Sequence, residues 1–458
     1  MLIKTSSVQN KIVVTTLEAL MPQEHFLRDL AKVVDFSFIY EKVEHLYSQF
    51  GRPAIDPVQL IKMLLLGFLY GIDSERRIER EIQVNIAYRW FLGLDLDSQV
   101  PDHSTISQTR RRKFHNSNIF EEIFAEIVKK CIETGLVDGS LILTDSTHVK
   151  ANAGFSRSEP VIVKVEPSEY LKKLDLLCEE EDYKVRAEAI ANGMKKKGYR
   201  ADTATKTKTV TKSITDPDSG MLNRATKPKG FHYLSHQSVD GKIGIITDVH
   251  VTPANVNDYE PYVSRIKYQK EKLGLPIQEV GLDKGYDQIE VHKEMLDLGI
   301  RTYTPLIDTS NKASDVFPVT DFEYNPTKDV YVCPNKQELK FVSVNKSYRR
   351  KVYAQSQKIC KNCLLKNKCF SSTGKFRTLL ISPHQREADI QRSTYGSVRY
   401  RQVQRLRKIY CEGNFGLQKD NHNLRRTRKR GNKNVTEHCI LSALALNLKR
   451  MVKHLKTA

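Results

Sequence analysis

Leu141-Ile-Leu-Thr-Asp-Ser-Thr-His148 is the stretch whose reading decides the fold. Its first three residues form an apolar run that reads as a short buried strand, ending in the carboxylate of Asp145 and small hydroxyl residues. Glu279-Val-Gly-Leu-Asp-Lys-Gly-Tyr286 repeats the design, with Asp283 closing the apolar run and Lys284-Gly285 supplying a turn. Between the two lie a strand over 231–240, a hairpin turn at Asp240-Gly241, a returning strand over 242–251 and a helix from Pro253 to about Lys272. A helix over 289–298 and a strand over 301–305 follow. Strand, hairpin, helix, strand, helix, strand predicts an α/β fold: a mixed sheet with helices packed on it.

Upstream, residues 1–135 predict an all-helical N-terminal domain. Asp56 and Pro57 suit the N-cap and first position of a helix, Ser74 suits the cap of a helix over 75–90, and Gly135 stops a helix over 118–135. Trp90 and Phe91 read as core residues. Pro101-Asp-His-Ser-Thr leads to a short helix with four successive cations, Arg110, Arg111, Arg112 and Lys113, capped by Asp102 or Ser104. That pattern fits a helix-turn-helix-like DNA module or a helical cap that packs on the core. His103 reads as a turn residue.

Downstream, the catalytic domain is expected over 136–458, with two interruptions. Residues 155–225 read as a polar, basic insertion: a helix over 168–196, then a mobile linker with a Thr/Lys tract from Thr203 to Lys212. Residues 310–395 read as a loop-rich insertion in which Cys333, Cys360, Cys363 and Cys369 are candidate ligands of a structural Zn²⁺. Unligated thiols are the alternative. A basic helix then carries Arg405, Arg407, Lys408 and Glu412, and Leu424-Arg-Arg-Thr-Arg-Lys-Arg-Gly431 crowds five cations before a glycine. The last helix, over 435–455, is expected to be apolar on one face.

The formal net charge of +20 favours a polyanionic partner, and nucleic acid is the default because the cations recur along the chain. No apolar run is long enough to span a bilayer, and the N-terminal residues lack the pattern of a signal peptide. The expectation is a cytoplasmic protein whose eight cysteines are thiols or metal ligands. Asp145, Asp283 and Glu412 are the candidate catalytic and metal-binding residues: phosphodiester chemistry needs an activated water and a stabilised leaving oxygen, and Mg²⁺ or Mn²⁺ on a few hard carboxylate oxygens supplies both. Asp248, Asp258 and Asp287 compete for the role, although Asp258 and Asp287 read as helix-start residues.

Most of the chain resembles the DDE transposases of bacterial insertion sequences, whose catalytic domain has an RNase H-like fold. The N-terminal block is similar to their InsH-type domain through Gly51-Arg-Pro, Pro57-Val-Gln-Leu-Ile-Lys-Met-Leu-Leu, Asn85-Ile-Ala-Tyr-Arg-Trp-Phe-Leu-Gly-Leu and Pro101-Asp-His-Ser-Thr. The catalytic part is similar through Thr144-Asp-Ser-Thr-His, Val251-Thr-Pro-Ala-Asn-Val-Asn-Asp and Leu282-Asp-Lys-Gly-Tyr. The resemblance implies that Asp145, Asp283 and Glu412 form the acidic triad. It also implies hydrolysis at element ends and attack of the freed 3′-hydroxyl on target DNA, by a homodimer on the bacterial nucleoid. The family pattern around the glutamate is Tyr, two residues, Arg, three residues, Glu, six residues, Lys. Here those places hold Arg405, Lys408, Glu412 and Lys419, with Phe415 in the Glu-x-x-Phe position. Lysine in place of arginine keeps charge without the bidentate fork. Arg405, Lys408, Lys419, Arg110, Arg111, Arg112, Arg425 and Arg426 are the candidate DNA contacts. A nuclease or recombinase without strand transfer is the nearest alternative. A non-catalytic, zinc-stapled DNA-binding protein derived from a transposase is the alternative from another class.

Overall fold

The computed structural model describes residues 12–456 except 49, 51–53, 116, 194–197, 199–205, 224–228, 308–315, 346 and 371–373. The Gly51-Arg-Pro stretch and the start of the Thr/Lys tract, 203–205, lie outside the described residues.

The central sheet is built on β1 (Leu141–Lys150), β4 (Gly220–Leu222), β5 (Gly230–Asp240), β6 (Ile246–Pro253), β7 (Glu279–Gly281) and β8 (Arg301–Tyr303). β5 lies between β1 and β6 and is antiparallel to both, with β4 paired to its start. On the other side of β1, β7 and then β8 run parallel to it. The sheet is mixed and helices pack on it, as the order of apolar runs predicts. β1 is longer than expected, because its ladder with β5 continues from Ile142 to Lys150. The helix after β6 starts later: 254–260 is turn, and the helix is Tyr262–Lys272.

Upstream of the sheet, Asp56 caps Pro57–Leu69 by accepting from the Gln59 amide at 3.0 Å. The single helix expected over 75–90 is two, Glu75–Val84 and Ile86–Leu92. Asn85 breaks it, leaving the helical conformation and capping the second helix through the Tyr88 amide at 3.1 Å. Asp102 caps His103–Thr109, and the four cations continue as a π-helical turn, Arg110–Phe114. Phe91 is buried, and Trp90 is half-buried with Arg28 over its ring and its indole N–H on Glu18.

The last helix, Asn432–Leu455, is buried on all sides across its middle, not on one face: every residue from Glu437 to Leu448 is buried. It packs on β6 and on Pro57–Leu69, Ile119–Glu133 and Phe26–Val33 at once. One hydrophobic core therefore runs from Met21 through the sheet to Val452.

Both interruptions are more ordered than expected. In the first, β2 (Ser158–Val165) and β3 (Lys206–Ser213) form an antiparallel ribbon, so much of the Thr/Lys tract is strand. Its helix, Glu169–Ala191, docks on the second interruption through Arg349–Asp175 at 2.7 Å and Lys351–Glu181 at 2.9 Å. The second is a sheet of its own, not a loop-rich insert: β9 (Glu323–Asn325), β10 (Val330–Val332), β11 (Glu338–Asn345), β12 (Arg350–Ala354) and β13 (Thr378–Ile381), antiparallel throughout.

Candidate functional site

The register of the parallel pair sets the site. Leu143 stands beside Gly281, so Asp145 and Asp283, each two residues further on, leave adjacent strands at the same level. Neighbouring strands are about 4.8 Å apart. Asp145 does not end its strand; it lies mid-ladder opposite Gln237 of β5. Asp283 ends its strand and accepts from the Gly285 amide at 2.8 Å, capping the 3₁₀ turn Lys284–Tyr286.

A third element lies across the two. Gly281 has no side chain, and a Cβ there would come 2.5 Å from Val403 and 2.8 Å from Leu143. Val398–Arg407 therefore packs directly on β7. Gln404 donates to the carbonyls of Leu282 at 2.9 Å and Tyr303 at 2.7 Å, and Arg407 donates to Asp145 Oδ2 at 2.6 Å. The helix passes through a π-helical turn, Lys408–Glu412, and continues as Gly413–Asn421. Such turns change which residues face the neighbours and recur at functional sites. Glu412 ends the turn roughly 7 Å of helix rise beyond Arg407. It is exposed, and no hydrogen bond or ion pair holds it among the described residues.

Asp258 joins this group although the sequence reads it as a helix-start residue. It sits in the turn after β6, accepts from the Ser146 hydroxyl at 2.7 Å and lies 4.0 Å from His236 Nδ1. Burial pushes the Asp145 carboxyl up to about 6; Arg407 opposes the shift, and Asp283 and Asp258 add to it. Burial also raises Asp283, against the Gly285 N–H and with Asp258. Crowded carboxylates of this kind favour a bound cation or a shared proton. The donor set, hard carboxylate oxygens on β1, after β7 and in the turn after β6, with Arg407 paired to Asp145, has the chemistry of a divalent-ion site.

The other competing acids are occupied. Asp248 holds Arg265 through both oxygens. Asp287 is buried and does not start the following helix, Ile289–Asp297, whose N-cap is Gln288; it binds His292 at 2.9 Å, Arg392 at 2.8 Å and the Ile307 amide at 2.7 Å.

The candidate DNA contacts divide. Arg405, Lys408, Arg111 and Arg112 are exposed. Arg110 is drawn inward onto Glu75 at 2.5 Å and Glu437 at 3.4 Å, beside Lys429–Glu75 at 2.9 Å. Lys113 lies 3.7 Å over the Tyr47 ring. Arg425 pairs with Asp420. Lys419, Arg425, Arg426 and Arg428 line a cleft of about 940 Å³ between the helical block and the C-terminal segment, with Arg76 and Arg77 on the facing wall. Arg426 also borders a second cleft with Lys150, Arg157 and Arg430. His103 opens its helix and is held by Glu79 at 2.7 Å. Glu79, Asp102 and His103 have ligand atoms within 4.8 Å of one another, and they are the only such group among the described residues.

The four cysteines of the small sheet line one cavity of about 30 Å³ without being drawn into that ligand spacing. Cys333 Sγ receives the Gln337 amide at 3.4 Å. Burial raises the Cys369 thiol; Arg377 opposes this, and Cys360, Cys333 and Cys363 add to it.

From sequence, Asp258 is weighed but set aside as a helix-start residue, Arg407 is only one cation of a basic helix, and His236 and Tyr286 are not singled out. Val251-Thr-Pro-Ala-Asn-Val-Asn-Asp258 contained the signal for the first; the others depend on packing.

A family described as "Transposase domain (DUF772)" matches residues 15–112, and one described as "Transposase DDE domain" matches residues 332–452. No curated protein matches the chain. Among solved structures, the cryo-EM structure of the piggyBac transposase synaptic complex with hairpin DNA is 9% identical, over 96% of this chain and 74% of that one. Its TM-score of 0.35 is too loose a likeness to bear on fold or partner. No described helix is long and apolar enough to cross a membrane.

Proposed function

We propose that this chain, which belongs to the DDE transposases, cuts DNA at the ends of its own element and joins the freed ends to target DNA, with Asp145, Asp283 and Glu412 as its acidic triad. The observation that carries the reading is the β1–β7 register, which sets Asp145 beside Asp283 under the helix that bears Arg407 and Glu412.

Asp145 and Asp283 would hold divalent cations, Mg²⁺ or Mn²⁺, with Glu412 completing the set. The ions supply, when bound, an activated water and a stabilised leaving oxygen. The protein's part is positioning. The Gly285 N–H fixes one Asp283 oxygen, and Gln404 ties the helix to the ends of β7 and β8. Arg407 partly neutralises Asp145 and offers a guanidinium to a phosphate brought to the site. Arg405 and Lys408 face solvent on the same helix, and Lys419, Arg425 and Arg426 continue the basic surface into the large cleft, where the DNA backbone would run. Arg111 and Arg112 remain candidate contacts; Arg110 serves the joint with the last helix instead. A homodimer would hold the two element ends together.

For the small sheet, the single cavity shared by Cys333, Cys360, Cys363 and Cys369 supports a structural Zn²⁺ whose arrival would close the sulfurs together.

The test is cleavage and joining of labelled DNA carrying the element's own ends, with Mg²⁺ or EDTA, by wild type, Asp283→Ala and Glu412→Ala. Metal-dependent nicks and joined products, lost by at least a thousandfold in both variants while DNA binding persists, are expected. Cutting without joining replaces the reading with a nuclease. Binding without cutting, the same in all three proteins, replaces it with a DNA-binding protein.

A further inference from the structure

Asp258 lies outside the triad, yet several features converge on it. Ser146, the residue after Asp145, donates its hydroxyl to Asp258 Oδ1 at 2.7 Å. A Cβ on Gly285 would stand 3.1 Å from Asp283 Oδ1 and 3.9 Å from Asp258 Oδ2, so both carboxylates border the turn at Gly285. Asp258 is thereby bonded to β1 and lies beside the turn that follows Asp283.

Two buried polar groups point to a missing ligand. His236 is 5% exposed; its Nε2 meets the Thr252 hydroxyl at 2.8 Å, but its buried Nδ1 has no hydrogen-bond partner and faces Asp258 Oδ1 at 4.0 Å. Tyr286 is 1% exposed and its hydroxyl also lacks a partner. The acids that act on that hydroxyl, after burial itself, are Asp258, Asp145 and Asp283. Buried polar atoms are rarely left unpaired, and two around one acidic group mark a place for ordered water or an ion with its hydration shell. The charge count agrees. Asp145, Asp283 and Asp258 act on one another, though their oxygens do not all lie within 4.8 Å, and Arg407 pairs with Asp145 alone.

We propose that Asp258 is a fourth carboxylate of the acidic centre and holds a divalent cation together with Asp145 and Asp283, with His236 and Tyr286 ordering the water around that ion. The proposal rests on the reading that Asp145 and Asp283 bind metal. It differs from that reading in giving the turn after β6 a place in the site.

The test reads metal binding directly, by Mn²⁺ electron paramagnetic resonance titration of the full chain without DNA. Wild type is compared with Asp145→Asn, Asp283→Asn, Asp258→Asn and Asp258→Ser, with the fold of each checked by circular dichroism in EDTA. The asparagine variant removes the charge but keeps the Oδ1 acceptor for the Ser146 hydroxyl, whereas the shorter serine loses both, which separates a ligand from a structural brace. Both Asp258 variants are expected to weaken Mn²⁺ at least tenfold, as Asp283→Asn does. Folded Asp258 variants that bind Mn²⁺ within twofold of wild type, while Asp145→Asn and Asp283→Asn lose it, would overturn the role of Asp258 and leave the triad standing. Wild type that binds no Mn²⁺, or binds it unchanged in Asp145→Asn and Asp283→Asn, would overturn the metal reading itself.

Discussion

The molecule contains two sheets with opposite means of support. The central sheet lies in a core that runs the length of the chain, from Met21 to Val452, and the last helix joins it to the N-terminal helices. Around the five-stranded sheet over 323–381 one cluster of six buried hydrophobic residues forms: Phe322, Tyr331, Leu339, Tyr353, Leu379 and Ile381. At roughly 1.5–3 kcal/mol per buried side chain, six residues contribute on the order of 10–20 kcal/mol. The small sheet also depends on its ladders, its docking to Glu169–Ala191 and, as proposed, its thiols. The difference teaches where a protein can hold unfavourable charge: crowded carboxylates are tolerated on strands anchored in the large core, and among the described residues the small sheet carries no comparable group.

The largest expected effect tests how rigidly the large core is tied together. Arg110→Ala strands the buried Glu437 and leaves Glu75 to Lys429 alone, and should cost about 3–5 kcal/mol in urea unfolding. A change under 1 kcal/mol would mean that the joint between the N-terminal helices and the last helix does not need its ion network. Next is Asp287→Ala, which leaves His292, Arg392 and the Ile307 amide without their acceptor and should cost about 2–4 kcal/mol.

Asp287 also gives a pH signature. Hydrogen bonds from His292, the Ile307 amide and Arg392 outweigh the effect of its burial and hold its carboxyl down at about 2. A depressed acid stabilises the fold above its unfolded value near 4, and that stability is lost as pH falls toward 2. Wild type should lose stability across that window more steeply than Asp287→Asn; parallel curves would rule the linkage out.

A smaller, local effect sharpens the contrast. Chelation, or Cys360→Ser with Cys363→Ser, should raise hydrogen exchange in 323–381 at least tenfold and leave β1 and β5 unchanged. Bound zinc near one equivalent should be lost in the variant. Protection unchanged in the small sheet, with no zinc found, would show that the sheet stands without a staple. The smallest effect belongs to Lys113→Ala, which removes a cation from the Tyr47 face and should cost about 0.5–1 kcal/mol.

Local patterns made much of the fold legible. The apolar runs ending at Leu143 and Leu282 mark buried strands, Asp56-Pro57 marks a helix start, and Gly135 marks a helix end with φ +70°. Other places were decided by distant partners. Asn85 breaks a helix whose periodicity continues through it. The Thr/Lys tract has a solvated composition, yet it becomes a strand because Ser158–Val165 lies antiparallel to it. Arg110, Arg111 and Arg112 are alike in sequence, and only the positions of Glu75 and Glu437 turn the first inward.

The sequence by itself determined the α/β order, the helix caps at Asp56 and Asp102 and the spacing that puts a carboxylate one or two residues past each apolar run, because these depend on neighbours along the chain. Tertiary structure alone decided which carboxylates share a space. Asp258 reaches Ser146 across 112 positions and Arg407 reaches Asp145 across 262. Such pairings follow from strand register and from the close helix approach that Gly281 allows, and neither is a property of any short stretch.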